Sequence, residues 1–85
     1  MIQVRLLFTD QCSGCEKAAK LLERLKPEFP DMHVERVNLL DYPQEAARYR
    51  LLATPGIVIN GSLEFAGGVK EKDLRRRLEQ LSRGR

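Results

Sequence analysis

Cys12 and Cys15 are the two cysteines of this chain, held together in the run Cys12-Ser13-Gly14-Cys15. They follow directly on an alternating apolar run and open a segment of helical periodicity, which sets a thiol at a strand-to-helix turn. Backbone N–H groups in the first turn of a helix favour thiolate over thiol and lower a cysteine's pKa. A thiol three residues further on lies one turn away and can close a disulfide with the first. A thiolate nucleophile with a resolving partner is the minimum equipment for thiol–disulfide exchange.

The elements that must hold this pair can be read from periodicity. Ile2, Val4, Leu6 and Phe8 alternate with Gln3, Arg5 and Thr9, the pattern of a strand. Leu7 interrupts the polar side, which fits a strand covered on both faces. From Ser13 to Lys26, Cys15, Ala18, Leu22 and Leu25 recur at helical spacing, with Phe29 continuing the stripe and Leu21 beside it. Pro27 and Pro30 end this helix. Cys15 belongs to the apolar stripe, whereas Cys12 precedes the helix and is expected to be the more exposed thiol. A second strand is predicted over Met32 to Leu40. A short helix follows, with Asp41 as N-cap, Pro43 in the first turn and Gln44 completing a capping box, and it runs to about Arg50. Ile57-Val58-Ile59 and Ser62-Leu63-Glu64-Phe65 make a hairpin across Asn60-Gly61, residues that accept the positive φ angles of a type I′ turn. Gly67-Gly68 leads into a last helix from about Lys70, with Leu74, Leu78 and Leu81 on one face.

The order is β-α-β-α-β-β-α, an α/β architecture. A right-handed crossover makes the first two strands parallel, and the hairpin adds two antiparallel partners. The result is a four-stranded mixed sheet flanked by helices. Cys12 then falls at the carboxyl edge of the first strand, where open α/β sheets bind their ligands.

Composition bounds the rest. A chain of 85 residues with 42% hydrophobic content suits a single domain, 1–85, with a small core. No apolar run approaches the roughly 20 residues of a membrane span, and the first residues enter a strand pattern instead of a signal peptide. A short two-cysteine loop is a poor fold staple, so a reducing, cytoplasmic setting is expected. The net charge of +3 is uneven, with seven Lys or Arg against three Asp or Glu from Lys70 onward. Arg75-Arg76-Arg77 and the Arg83-Gly84-Arg85 end raise the prospect of an acidic partner, but a solvated helix face explains them as well. No aromatic residue interleaves with the cluster, so no nucleic-acid partner is expected. Residues from about 82 to 85 are expected to form a basic, frayed tail.

The run Thr9-Asp10-Gln11-Cys12-Ser13-Gly14-Cys15 after strand one, Thr54-Pro55 before strand three and Gly67-Gly68 after strand four resemble a minimal thioredoxin-fold protein. The likeness is to the small glutaredoxin-like and thioredoxin-like redoxins, and the stretch from Tyr49 to Gly61 is especially close. The resemblance implies a thioredoxin-like fold and a dithiol–disulfide oxidoreductase acting in cell redox homeostasis and electron transfer. It makes Cys12 the attacking thiolate and Cys15 the resolving thiol. Pro55 becomes the family's cis-proline, and the Thr54 backbone pairs with an extended substrate segment beside the disulfide. Gly67 and Gly68 let backbone approach that segment closely. Substrates are protein disulfides, no bound cofactor or metal is needed, and electrons come from a thioredoxin-reductase-type flavoprotein or from glutathione. Asp10 and Gln11 stand where many glutaredoxins carry a lysine, and Val69-Lys70 where they often place an aspartate. A protein donor is therefore favoured over glutathione. Ser13-Gly14 matches neither the Gly-Pro of typical thioredoxins nor the Pro-Tyr of typical glutaredoxins, and no tryptophan precedes Cys12.

An alternative uses the same two thiolates for Cu(I), which soft sulfur ligands select. The run from Asp10 to Lys17 resembles the loop of small copper-chaperone domains. Those have a ferredoxin-like β-α-β-β-α-β order and usually a methionine where this chain has Asp10. Structural zinc would need four ligands, and His33 is the chain's one histidine.

Overall fold

The computed structural model describes residues 1–83. Its elements are β1 (Ile2–Phe8), α1 (Ser13–Leu25), a 3-10 turn (Lys26–Glu28), β2 (Met32–Asn38), α2 (Pro43–Arg48), β3 (Gly56–Ile59), β4 (Ser62–Ala66) and α3 (Glu71–Arg83). The sheet order is β2-β1-β3-β4. β1 runs parallel to β2 and antiparallel to β3, and β3 pairs antiparallel with β4. This is the expected four-stranded mixed sheet flanked by helices. It is not the ferredoxin-like order that a copper-chaperone domain requires.

The central strand β1 supplies both cores, because its side chains alternate between faces. Ile2, Val4 and Leu6 join Ala18, Leu21, Leu22 and Leu25 of α1 and Leu74 and Leu78 of α3 in the larger cluster. Leu7 points the other way and packs with Val37, Leu39 and Val58 under Ala46, Tyr49 and Leu51. Two helices thus cover one face and the short α2 the other. Each large side chain buried this way contributes about 1.5–3 kcal/mol before chain entropy is counted.

Several boundaries differ from the sequence expectation, each for a local reason. Winding does not stop at Pro27. The α-helix gives way after Leu25 to a 3-10 turn with a proline in its first positions, where the missing N–H is no loss. The N–H of Phe29 closes the turn on the carbonyls of Leu25 and Lys26, which tucks the Phe29 ring into the core. β2 stops at Asn38, short of Leu40, because Asn38 folds the chain back. Its side chain accepts from the Leu40 N–H at 2.9 Å and its carbonyl accepts from Asp41 and Tyr42. Asp41 is consumed in that turn, so it is not the N-cap and no capping box forms. Tyr42 occupies the cap position without a side-chain bond, and α2 ends at Arg48. α3 extends through Ser82 and Arg83, which are helical; Gly84 and Arg85 of the expected tail lie outside the described residues.

Charge clasps fasten the helices. Arg5 donates from Nη1 to Glu45 at 2.8 Å and to the Tyr49 hydroxyl at 3.0 Å, and from Nε to Glu35 at 3.1 Å. This ties α2, which has no buried residue of its own, to the central strand. Burial opposes the Arg5 charge, but the bonds to Tyr49 and Glu45 outweigh it and hold the guanidinium above its ordinary value. On the other face Glu71 accepts from Arg24 at 2.6 Å and from Arg75 at 2.7 Å, while Arg75 also meets Glu28. Hydrogen bonds from Arg24 and Arg75 hold the Glu71 carboxyl below the usual carboxylate range. Arg77 grips Glu64 of β4 at 3.0 and 3.1 Å. Arg75 and Arg77 of the basic run are thus ion-paired within the fold.

Candidate active site

β1 ends at Phe8, and the chain turns into α1 through Gln11, which takes a left-handed φ of 54°. Cys12 follows as the N-cap of α1 in extended conformation. Its sulfur accepts from the Cys15 N–H at 3.1 Å, so a cysteine performs the capping that serine or aspartate usually performs. Its carbonyl accepts from the Glu16 N–H at 3.1 Å. Cys15 lies one turn on along the buried stripe, with 4% of its surface exposed, and the two cysteines are joined in a disulfide with Cα atoms 5.2 Å apart. Cys12 is half-buried and is the more accessible of the pair, as the periodicity of α1 implied.

The loop before β3 meets this disulfide from the neighbouring strand. Because β3 is antiparallel to β1, its first residue stands at the edge where β1 ends. The Thr54–Pro55 bond is cis, and Pro55 is buried. Thr54 Oγ1 lies 3.7 Å from Cys12 Sγ. A disulfide sulfur carries no proton, so the hydroxyl is the donor. On the helix side, Gly14 makes room for this loop. A Cβ there would come within 3.3 Å of Pro55 Cδ, a tight contact that the proline loop would have to yield to slightly.

The segment after β4 closes the arrangement. The Gly67 N–H donates to the Pro55 carbonyl at 2.8 Å, and its φ of 85° is a left-handed value that favours glycine. Gly68 follows, exposed. Cys12, Cys15, Thr54, Pro55, Gly67 and Gly68, drawn from three separate stretches of sequence, therefore gather at one edge of the sheet. Beside them a small pocket of about 170 Å³ is lined by Asp10, Glu16, Arg36 and both cysteines. Gly14 and Arg36 were not singled out by the sequence reading. The glycine sits inside the motif and could have been flagged by its size, while Arg36 reaches the site only through strand pairing.

His33 pairs with Gln3 at the start of β1, the end of the sheet opposite the cysteines. It supplies no third ligand to Cys12 and Cys15, so the zinc reading has no donor set. No group of three His, Cys, Asp or Glu side chains able to hold a metal ion occurs among the described residues.

A half-buried cysteine capping a helix, a buried partner one turn on and a proline loop facing both, on a β-α-β-α-β-β-α frame, define a thioredoxin-fold redox domain. The thioredoxin-domain family pattern matches residues 2–79. The chain is 35% identical over 74 residues to a thioredoxin of Methanocaldococcus jannaschii, covering 86% of this chain and 87% of that one. It is 28% identical over 75 residues to a probable thioredoxin of Methanothermobacter thermautotrophicus, covering 87% and 88%. Among solved structures it superposes on the thioredoxin of Fasciola hepatica with a TM-score of 0.78 at 26% identity, covering 93% of this chain and 79% of the other. The chain belongs to the thioredoxin family, as a small thiol–disulfide oxidoreductase. No helix among the described residues is long and apolar enough to cross a membrane.

Proposed function

We propose that this protein, as one domain spanning 1–85, reduces protein disulfides in the cytoplasm through the Cys12-Ser13-Gly14-Cys15 pair. In the reduced form the Cys12 thiolate attacks one sulfur of a substrate disulfide. A Cys12 mixed disulfide forms, the substrate S–S bond breaks, and the departing thiolate takes a proton from water. Cys15, deprotonated in turn, attacks the Cys12 sulfur, closes the internal disulfide and releases the second substrate thiolate. Two electrons pass to the substrate, and a donor returns them by exchange at Cys12 without a bound cofactor.

The observation that carries this reading is the convergence of two donors on the sulfur of the more accessible cysteine, the Cys15 N–H at 3.1 Å and the Thr54 hydroxyl at 3.7 Å. Donors fixed in that geometry stabilise a thiolate whether it is attacking or leaving. Thr54 and Pro55 form the platform on which an extended substrate segment pairs by its backbone, and Gly67 and Gly68 let it approach closely. A thioredoxin-reductase-type flavoprotein is the donor, a choice supported by the thioredoxin relatives and by Asp10 and Gln11 at the positions before Cys12. The test supplies NADPH with either thioredoxin reductase or glutathione and its reductase. Turnover of a protein disulfide is expected with the first system, and turnover with the second alone would reverse the donor assignment.

A further inference from the structure

Lys17 and Lys20 are exposed on α1 one turn apart. Arg5, Arg24, Arg75 and Arg77 are each locked in ion pairs; neither lysine forms one with any described residue. Both lysines line a groove of about 410 Å³ between α1 and the start of α3. Gly14 and Gly68 border the same groove, and Gly14 lies against Pro55, so one end opens beside the dithiol. Arg24 and Glu71 also line it. Glu71 is the acidic group in that lining, and its carboxylate is already shared between Arg24 and Arg75. The charge of the two lysines therefore faces the groove uncompensated. The small pocket that the two cysteines line differs, because its lining mixes Asp10 and Glu16 with Arg36.

We infer that this groove receives an acidic segment of the disulfide-bearing protein, the residues that flank its cysteine on one side, with carboxylates set against Lys17 and Lys20. The inference rests on the exchange at Cys12 proposed above and adds partner class and orientation to it. A groove of one sign beside the reacting sulfur concentrates partners of the other sign and fixes which way they lie, while contributing modestly to affinity.

The test compares two cystine peptides as substrates, identical except that the residues on one side of the cystine are glutamates in one and glutamines in the other. At low salt the acidic peptide is expected to show a KM about fivefold lower, the scale of two exposed ion pairs. That advantage should vanish near 1 M salt, where the screening length falls to about 3 Å. The double variant Lys17→Glu/Lys20→Glu should abolish or reverse the preference, and Lys72→Glu, an exposed lysine of α3 that does not line the groove, should keep it. Equal KM values for the two peptides, or a preference that survives the double reversal, would overturn the inference and leave exchange at Cys12 standing. Failure of the wild-type protein to reduce either peptide would overturn both readings together.

Discussion

Helices α1 and α3 are the same length, 13 residues each, and both bury a leucine stripe on the same face of the sheet. Their remaining surfaces do different things. α3 turns Arg75 onto Glu28 and onto its own Glu71, and Arg77 onto Glu64, so these two arginines hold the helix against its neighbours, while Lys72 and Arg76 stay exposed. α1 is capped by a cysteine instead of a serine or aspartate and leaves Lys17 and Lys20 unpaired among the described residues. The basic run on α3 is the more conspicuous in the sequence, yet the unpaired lysines of the groove beside the dithiol belong to α1. Pairing decides which charges are available to a partner, and pairing is a property of the fold.

The sharpest way to separate the two helices is to change the cysteines at the start of one and a core leucine of the other. Cys12→Ser should abolish disulfide reduction while leaving thermal unfolding nearly unchanged, and Cys15→Ser should accumulate a stable mixed disulfide through Cys12, visible by mass on a non-reducing separation. Leu78→Ala on α3 should do the reverse. It removes a fully buried side chain and should cost about 2–5 kcal/mol in denaturant unfolding, with Cys12 still reactive in the folded fraction. A large loss of thiol reactivity in folded Leu78→Ala would break the division of labour.

Much of that division was legible beforehand because it follows short periods. The alternation of β1, the Asn60-Gly61 turn and the stripe from Cys15 to Leu25 each depend on neighbours a few residues apart, and each appears in the fold. The α2 cap was misread because Asp41 is drawn into a turn organised by Asn38, a choice that local residue preferences do not settle. The clasp of Arg5 on Glu45 and Tyr49 spans 40 and 44 positions, and nothing in the local sequence announces it. The same holds for Arg36 at the edge of the dithiol pocket and for the groove that sets Lys17 and Lys20 beside Gly68.

Smaller effects sharpen the comparison. Thr54→Val removes the hydroxyl donor to Cys12. The midpoint of Cys12 alkylation against pH should rise by about one unit, the scale of one hydrogen bond to a charged group, and Thr54→Ser should restore it. An unchanged midpoint in the valine variant would show that the 3.7 Å contact does not reach the thiolate. On the α3 side, the Glu71 carboxyl is depressed by its bonds to Arg24 and Arg75. Its contribution to stability is full above the unfolded carboxylate value near 4.5 and is lost as pH falls through the lower folded value. Glu71→Gln should therefore flatten the acid side of the stability curve slightly, below about pH 5, and leave Cys12 reactivity untouched. The group is exposed, so the change should be small.

The central claim is that Cys12, capping α1 and reached by two donors, is the thiol that attacks the substrate, and Cys15, in the core stripe, only resolves the mixed disulfide. Brief alkylation of the fully reduced protein at neutral pH with a substoichiometric small reagent, followed by peptide mass analysis, tests it directly. Label is expected on Cys12 well before Cys15. Label appearing first on Cys15 would contradict the account at its base.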